Sequence, residues 1–275
     1  MKFGLDISQH QLTFEEILKR ARLAEEAAFD GAWVFDHFKP LYADPEGPCL
    51  EAWTLLAALA AHTSMIRLGT LVTGITYRHP SVLTTEIVTV DHVSGGRVEC
   101  GLGAAWNESE HQSLGIPFPT AKERMERLED GIEIFRRLTS GERVSYQGRH
   151  HSLDNAQYHP LPVQRPHPPI WVGANRPQLG LPLVGRQADV WHGWGGGYAE
   201  KWDVIRRSAE KAGRDPAQIL KSSSLSISEP WDEVRSEYET HLANGVSYLI
   251  VEWPTEGRKR LEQFIDKVLP DLRPT

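Results

Sequence analysis

Two polar residues, Asp36 and His37, directly follow residues 32–35, a short apolar segment with the character of a buried strand. Ligands of parallel α/β proteins bind at the carboxyl ends of strands. An aspartate beside a histidine can orient the imidazole and tune its pKa near neutrality, which suits general acid–base chemistry. The pair therefore predicts a proton-transfer site. The alternative is a surface aspartate and a histidine packed within the fold.

A second group of candidates lies in residues 68–115, which read as strand, polar turn, helix, turn, strand and Gly-rich turn. The small residues Gly103 and Ala104 let the backbone approach a planar ligand, and Trp106 and Asn107 follow at the same strand end. Glu108 comes next and has two interpretations, a catalytic acid or a solvent-facing carboxylate in the first turn of a helix.

Glycine-rich turns also follow two later strands, as Gly173-Ala174-Asn175-Arg176 and as residues 193–197, which include Gly195 and Gly196. Such turns before helices present N–H groups to anions. They predict a site for a cofactor phosphate, and a mobile lid is the alternative for the glycine run.

Composition excludes several classes of function. A net charge of −7 gives no basic footprint for nucleic acid, and no apolar run approaches the roughly 20 residues that span a bilayer. The N-terminus has no signal-peptide pattern, and two cysteines without CxxC spacing suit a reducing cytoplasm. The histidines lack metal-ligand spacing and no GxSxG motif occurs, so we expect neither a metal site nor a serine hydrolase.

The elements that must position these residues alternate along the whole chain. Eight short apolar strand patterns are separated by helical patterns, about one unit in 30–35 residues. We expect one α/β domain over residues 1–275, a (β/α)8 TIM barrel with an insertion after the fourth βα unit. The insertion is residues 139–169, and with residues 39–48 it is expected to shape a substrate pocket. An open doubly wound sheet is the alternative.

Several motifs together resemble the luciferase-like flavin and deazaflavin oxidoreductases, the bacterial luciferase superfamily. They are Phe35-Asp36-His37-Phe38, the segment LGTLVTGITYRHP at residues 68–80, Ser94-Gly95-Gly96-Arg97, Gly101-Leu102-Gly103 and Pro168-Pro169-Ile170-Trp171-Val172-Gly173. The resemblance is greatest to the branch that uses the deazaflavin coenzyme F420. It implies a TIM barrel, often a homodimer, with the cofactor ring in the barrel mouth.

The resemblance also implies roles for individual residues. His37 would lie over the reactive carbon of the ring, and Asp36 near the ring or beside the imidazole. A non-prolyl cis peptide is expected at Leu71–Val72, behind the ring, with Thr73 offering its hydroxyl to the polar edge of the ring.

The expected function is hydride transfer between F420 and a small organic substrate, with a flavin or F420 reductase as a possible partner. One alternative is an FMN-dependent two-component monooxygenase on the same fold. Another is a flavin-binding protein without catalytic activity. The sequence does not identify the substrate.

Overall fold

The computed structural model describes residues 1–41 and 44–273. Its main sheet is built from β1 (Lys2–Asp6), β2 (Gly31–Val34), β3 (Arg67–Thr70), β4 (Thr73–Gly74), β5 (Val98–Gly103), β8 (Ile170–Gly173), β9 (Val190–His192), β10 (Leu220–Leu225) and β11 (Tyr248–Val251). All pairings in this sheet are parallel, and the additional pairing of β3 with β5 closes the ring. The two-residue β4 continues the line of β3 along β5. The predicted barrel is confirmed, and the open sheet is wrong.

Helices lie on the outside of the barrel, between strands along the chain and after the last strand. They are α1 (Phe14–Glu26), α2 (Ala52–His62), α3 (Pro80–Ser94), α4 (Glu108–Ser113), α5 (Ala121–Thr139), α6 (Gly180–Gln187), α7 (Tyr198–Lys211), α8 (Trp231–Ala243), α9 (Arg258–Lys267) and α10 (Leu269–Leu272). Local sequence sets several ends: Thr13 caps α1, and Gly95 ends α3 in the left-handed conformation at φ 67°. No helix in the described ranges is long and apolar enough to cross a bilayer.

Strand side chains alternate between two apolar layers. One set packs under the helices, and the other fills the barrel interior. The interior holds Trp33, Trp171 and Tyr248, with 4.4 Å between the ring centroids of the two tryptophans. Trp171 Nε1 donates to the buried Glu99 carboxylate at 2.7 Å. These large side chains fill the barrel interior away from the carboxyl ends of the strands. A ligand therefore has room only near those ends.

The insertion contains an antiparallel hairpin, β6 (Val144–Gln147) and β7 (Ser152–Ala156). The backbone N–H groups of His150 and His151 donate to Asp130 of α5, and Gln164 Oε1 accepts from Arg67 at the start of β3. None of the described hydrogen bonds of the insertion reaches the carboxyl ends of the barrel strands. The insertion joins the end of α5 to the start of β8, and the ring of its His151 packs on His79 at the start of α3, with 5.3 Å between the ring centroids. That the insertion shapes the substrate pocket stays a prediction. Of the second expected loop, residues 42–43 lie outside the described residues.

Candidate active site

The candidate site is centred on His37, three residues beyond the end of β2. Its Nδ1 lies 2.8 Å from Oε2 of Glu110, which is in the first turn of α4. Only 8% of His37 and 2% of Glu110 are exposed. A carboxylate accepts hydrogen bonds, so Nδ1 carries a proton and Nε2 is the ring nitrogen left for a ligand. Among the described residues, Nε2 has no hydrogen-bond partner.

The Glu110 carboxylate is held from several directions. Its Oε1 accepts the backbone N–H groups of Phe38 and Lys39 at 2.7 and 3.1 Å, and its Oε2 also accepts the Tyr77 hydroxyl. Burial raises the pKa of Glu110, but the hydrogen bonds from His37, Tyr77 and Phe38 outweigh it and lower the pKa overall. Burial and the adjacent Glu110 raise the pKa of Tyr77, so its hydroxyl remains a donor. Glu110 is therefore an anion that fixes the ring of His37.

The short helix α4 positions Glu110. The Asn107 side chain caps this helix by accepting the Glu110 N–H at 3.2 Å. His111, fully buried, bonds the Asn107 carbonyl and the Thr76 hydroxyl at 2.7 Å each, and its ring stacks on Tyr77. Asn107 followed three residues later by Glu110 has the spacing of a capping box, so it could have revealed where the helix starts.

The structure separates Glu108 from the site. Glu108 is exposed, and its carboxylate accepts Nε2 of Gln112 at 3.0 Å on the outer face of α4. The acid that reaches His37 is instead Glu110, two positions later, because two residues on a helix point about 200° apart. Asn107 likewise caps α4 with the side chain that was expected to contact a cofactor.

Asp36 points away from His37, into a buried ion cluster. Both its oxygens accept from Arg78, at 2.6 and 2.9 Å, and Arg78 also pairs with Glu51 and Glu86. Burial raises the pKa of Asp36, and the Arg78 guanidinium opposes that shift. The expectation that Asp36 contacts the cofactor or orients the imidazole is corrected, because its carboxylate is fully buried against Arg78 and Glu110 bonds the imidazole instead.

The peptide bond Leu71–Val72 is cis, as the resemblance implied. Thr73 differs from its expected role. Its hydroxyl accepts Nε1 of Trp53 at 3.0 Å and donates to Thr70 Oγ1 at 2.9 Å, and it is fully buried. The Thr73 side chain is therefore committed to internal packing and does not face the mouth.

The floor of the mouth is built from Val72 and two glycines. A Cβ added to Gly103 would lie 2.5 Å from Cγ2 of Val72, and one added to Gly173 would lie 3.4 Å from its Cγ1. These positions keep the surface beside the cis peptide flat. Trp106 stands at the rim, 61% exposed and 5.6 Å from the His37 ring. A flat floor with an aromatic wall fits a planar tricyclic ring.

The two glycine-rich loops are tied together at the rim. Asn175 Nδ2 donates to the Trp194 carbonyl at 2.9 Å, and Lys201 Nζ donates to the same oxygen at 2.8 Å. Gly195 and Gly196 are exposed beside them, and no neighbouring atom lies within 4 Å of a Cβ added at either glycine. Ala174 is buried, and its carbonyl accepts Trp191 Nε1. The open N–H groups and the nearby Lys201 suit an anionic group.

Residues 1–267 match the sequence profile of the luciferase-like monooxygenases. The chain belongs to this family. Its match to an "F420-dependent hydroxymycolic acid dehydrogenase" of Mycobacterium tuberculosis is 33% identical over 81% of this chain and 61% of the relative. An "F420-dependent glucose-6-phosphate dehydrogenase" of Microbacterium testaceum is 36% identical over 69% of this chain and 55% of the relative. The chain thus spans less than two thirds of either relative.

A solved structure shares the fold over nearly the whole chain. An "F420-dependent secondary alcohol dehydrogenase in complex with an F420-acetone adduct" superposes with a TM-score of 0.87, covering 99% of both chains at 20% identity. At that identity the likeness establishes the barrel and nothing about its ligand.

Proposed function

We propose that this protein is an oxidoreductase that uses coenzyme F420 to transfer a hydride to or from a small organic substrate. The observation that carries the proposal is the His37–Glu110 pair beside a glycine-lined floor at the carboxyl end of the barrel. Family membership supports it, as do relatives over 30% identical whose names specify F420.

The cofactor ring would lie against the cis peptide Leu71–Val72 and over Gly103 and Gly173, with Trp106 at its edge. Its phosphate would bind the loops containing Asn175, Gly195 and Gly196. The adjacent Lys201 and Arg176 supply positive charge at that rim. F420, when bound, supplies the two-electron hydride chemistry at its ring.

His37 handles the proton in this scheme. In the oxidative direction, Nε2 of His37 accepts the proton of a substrate hydroxyl, and in the reductive direction the imidazolium returns it. Glu110 stabilises the imidazolium through Nδ1, at a separation of 2.8 Å. Tyr77 and the backbone N–H groups of residues 38 and 39 keep that carboxylate in place.

A cofactor titration tests the proposal. Purified protein is titrated with F420 and, separately, with FMN, and bound cofactor is measured by fluorescence and by equilibrium dialysis. We expect saturable F420 binding and weak FMN binding. Tight binding of FMN without binding of F420 would replace the proposal with the two-component monooxygenase.

The homodimer, the cytoplasmic location and a separate F420 reductase stay predictions from the family resemblance. Sedimentation of the purified protein tests the dimer.

A further inference from the structure

His192 is a buried histidine at the edge of the mouth, and the proposed proton transfer does not use it. It ends β9 and is 6% exposed. Val190, two positions earlier, packs with the interior tryptophans, and side chains alternate along a strand, so the imidazole of His192 faces the barrel interior. The register partner of His192 on β8 is Gly173, which belongs to the floor of the mouth. The histidine therefore lies beside the proposed cofactor site.

The two ring nitrogens of His192 have different surroundings. Nδ1 lies 3.1 Å from Oγ of Ser222, a fully buried serine of β10. Nε2 has no hydrogen-bond partner among the described residues, and it is not one of the unpartnered side-chain atoms that the fold seals from solvent. An interior-facing nitrogen at a strand's carboxyl end, without a partner and in touch with solvent, opens into the mouth.

Ser222 determines which nitrogen of His192 carries the proton. In the described part of the chain, the side chain of Ser222 has no hydrogen-bond partner other than Nδ1. A buried donor left unpaired is costly, so the hydroxyl donates to Nδ1. Burial lowers the pKa of His192 to about 4, so the ring is neutral near pH 7 and its one proton is on Nε2. His192 thus presents a fixed, uncharged N–H donor to the mouth.

The place of His192 in the barrel decides which side of a bound ring it can reach. The strand β9 is four positions from β2 in either direction around the closed sheet, so His192 and His37 lie on opposite sides of the mouth. His37 is proposed to move the proton at the reacting centre, which puts the reactive carbon C5 of the ring on the His37 side. The opposite edge of the ring then faces His192.

The chemistry of that opposite edge matches the donor. In a deazaflavin, the ring atom N1 and the C2 carbonyl flank N10, the atom that carries the phosphate tail, and all three lie across the ring from C5. The proposed phosphate site, residues 193–197, directly follows His192 in the chain. The tail and the C2 carbonyl therefore point toward the same strand. The hydroxyl of Thr73, expected at the polar edge of the ring, is instead bonded to Trp53 and Thr70.

We propose that Nε2–H of His192 donates a hydrogen bond to the C2 carbonyl of the cofactor ring and orients the ring between His192 and His37. This inference rests on the proposed function, because it needs a ring in the mouth. β9 would then hold the cofactor twice, by its last side chain and by the glycine-rich loop that follows. FMN has the same carbonyl, so the contact can be tested with either cofactor.

Equilibrium dialysis without substrate measures this contact in variants of His192. His192→Phe fills the space but removes the donor, and we expect the F420 dissociation constant to rise roughly 5- to 100-fold. His192→Gln supplies an amide N–H in place of Nε2 and should bind F420 within about threefold of wild type. His241→Phe is the matched control, since His241 is also 6% exposed but packs on Tyr198 in the apolar layer under the helices. It should bind F420 like the wild type.

NMR of the wild-type protein tests the contact without a substitution, and it decides the matter if His192→Phe does not fold. Long-range ¹H–¹⁵N spectra of histidine-labelled protein should show the neutral form of His192 with its proton on Nε2. Addition of F420 should move that nitrogen resonance. A proton on Nδ1, or an Nε2 resonance that F420 does not move, would overturn the inference.

The titrations also separate this inference from the proposed function. Equal F420 affinity in His192→Phe and wild type, or equal losses in His192→Phe and His241→Phe, would overturn the role of His192 alone. If the wild type binds FMN and not F420, the same variants are titrated with FMN. A loss of FMN affinity confined to His192→Phe would then support the contact and refute the choice of F420. A wild type that binds neither cofactor would overturn both proposals.

Discussion

His37 and Glu110 are 73 positions apart in the chain, and 2.8 Å separates Nδ1 of the first from Oε2 of the second. The second oxygen of the same carboxylate accepts two backbone N–H groups of the segment that follows His37. One side chain from α4 therefore fixes both the imidazole and the loop that carries it. Movement of α4 would alter the proton-transfer group directly.

The first prediction concerns the two acids of α4. Glu110→Gln removes the anion that stabilises the imidazolium, and we expect turnover to fall by roughly 10²-fold or more. Glu108→Gln is the matched comparison, since Glu108 is exposed and bonded to Gln112, and it should keep near wild-type turnover. Steady-state kinetics of both variants decide between the residues. A larger loss of turnover in Glu108→Gln than in Glu110→Gln would instead identify Glu108 as the catalytic acid.

A second prediction assigns Asp36 to stability. Asp36→Asn removes the bidentate carboxylate from Arg78 but leaves Glu51 and Glu86 in place, so the cost is that of a charged hydrogen bond, about 1.5–3 kcal/mol. The free energy of unfolding, measured with urea, should fall by an amount of that order. Under conditions where the variant is folded, its F420 affinity should match the wild type. A loss of F420 affinity with an unchanged free energy of unfolding would instead show that Asp36 contributes to cofactor binding.

A third prediction uses two glycines of the mouth. Gly103→Ala would bring a Cβ within 2.5 Å of Val72 and push that side chain from the floor, whereas Gly173→Ala makes ordinary contact at 3.4 Å. We expect F420 affinity to fall in both variants, since the ring is proposed to lie over both glycines, and to fall more in Gly103→Ala, which also displaces Val72. Equilibrium dialysis measures both. Equal affinities in the two variants would argue against a ring seated over Val72.

The fourth prediction is a pH dependence of stability. Burial raises the pKa of Glu86 to about 7 from 4.5, against the opposing charge of Arg78. The folded pKa exceeds the unfolded value, so the contribution to stability is complete below pH 4.5 and is lost as the pH rises through 7. Between pH 5 and pH 8, wild type should lose about 1–2 kcal/mol relative to Glu86→Gln. Urea unfolding of both proteins at the two pH values measures it, and parallel pH profiles would contradict it.

The fold could be predicted from the sequence because one pattern of strand and helix repeats along the chain. Each short apolar strand is followed by an amphipathic helix, and eight repeats leave few architectures besides a closed parallel barrel. The cis peptide at Leu71–Val72 was accessible only through family resemblance, since local residue preferences do not specify it.

The site was harder to predict because its polar side chains bond residues that are far away in the sequence, and local patterns do not reveal such partners. Asp36 is next to His37 in sequence, but Arg78 supplies a stronger partner on the opposite side of the chain. Thr73 is a second case, since its hydroxyl accepts the Nε1–H of Trp53, 20 positions away in the sequence. Glu110 was missed because Glu108 was taken as the candidate acid of this segment, and the sequence does not show which carboxylate of α4 faces His37.

The most direct test of the account is the variant His37→Ala, with single-turnover kinetics and F420 titration measured on the same preparation. The account predicts a fall in turnover of roughly 10²-fold or more with an F420 dissociation constant close to wild type, since His37 moves the proton and does not hold the phosphate. Turnover equal to wild type, or a loss of F420 binding that accounts for the whole loss of activity, would contradict it.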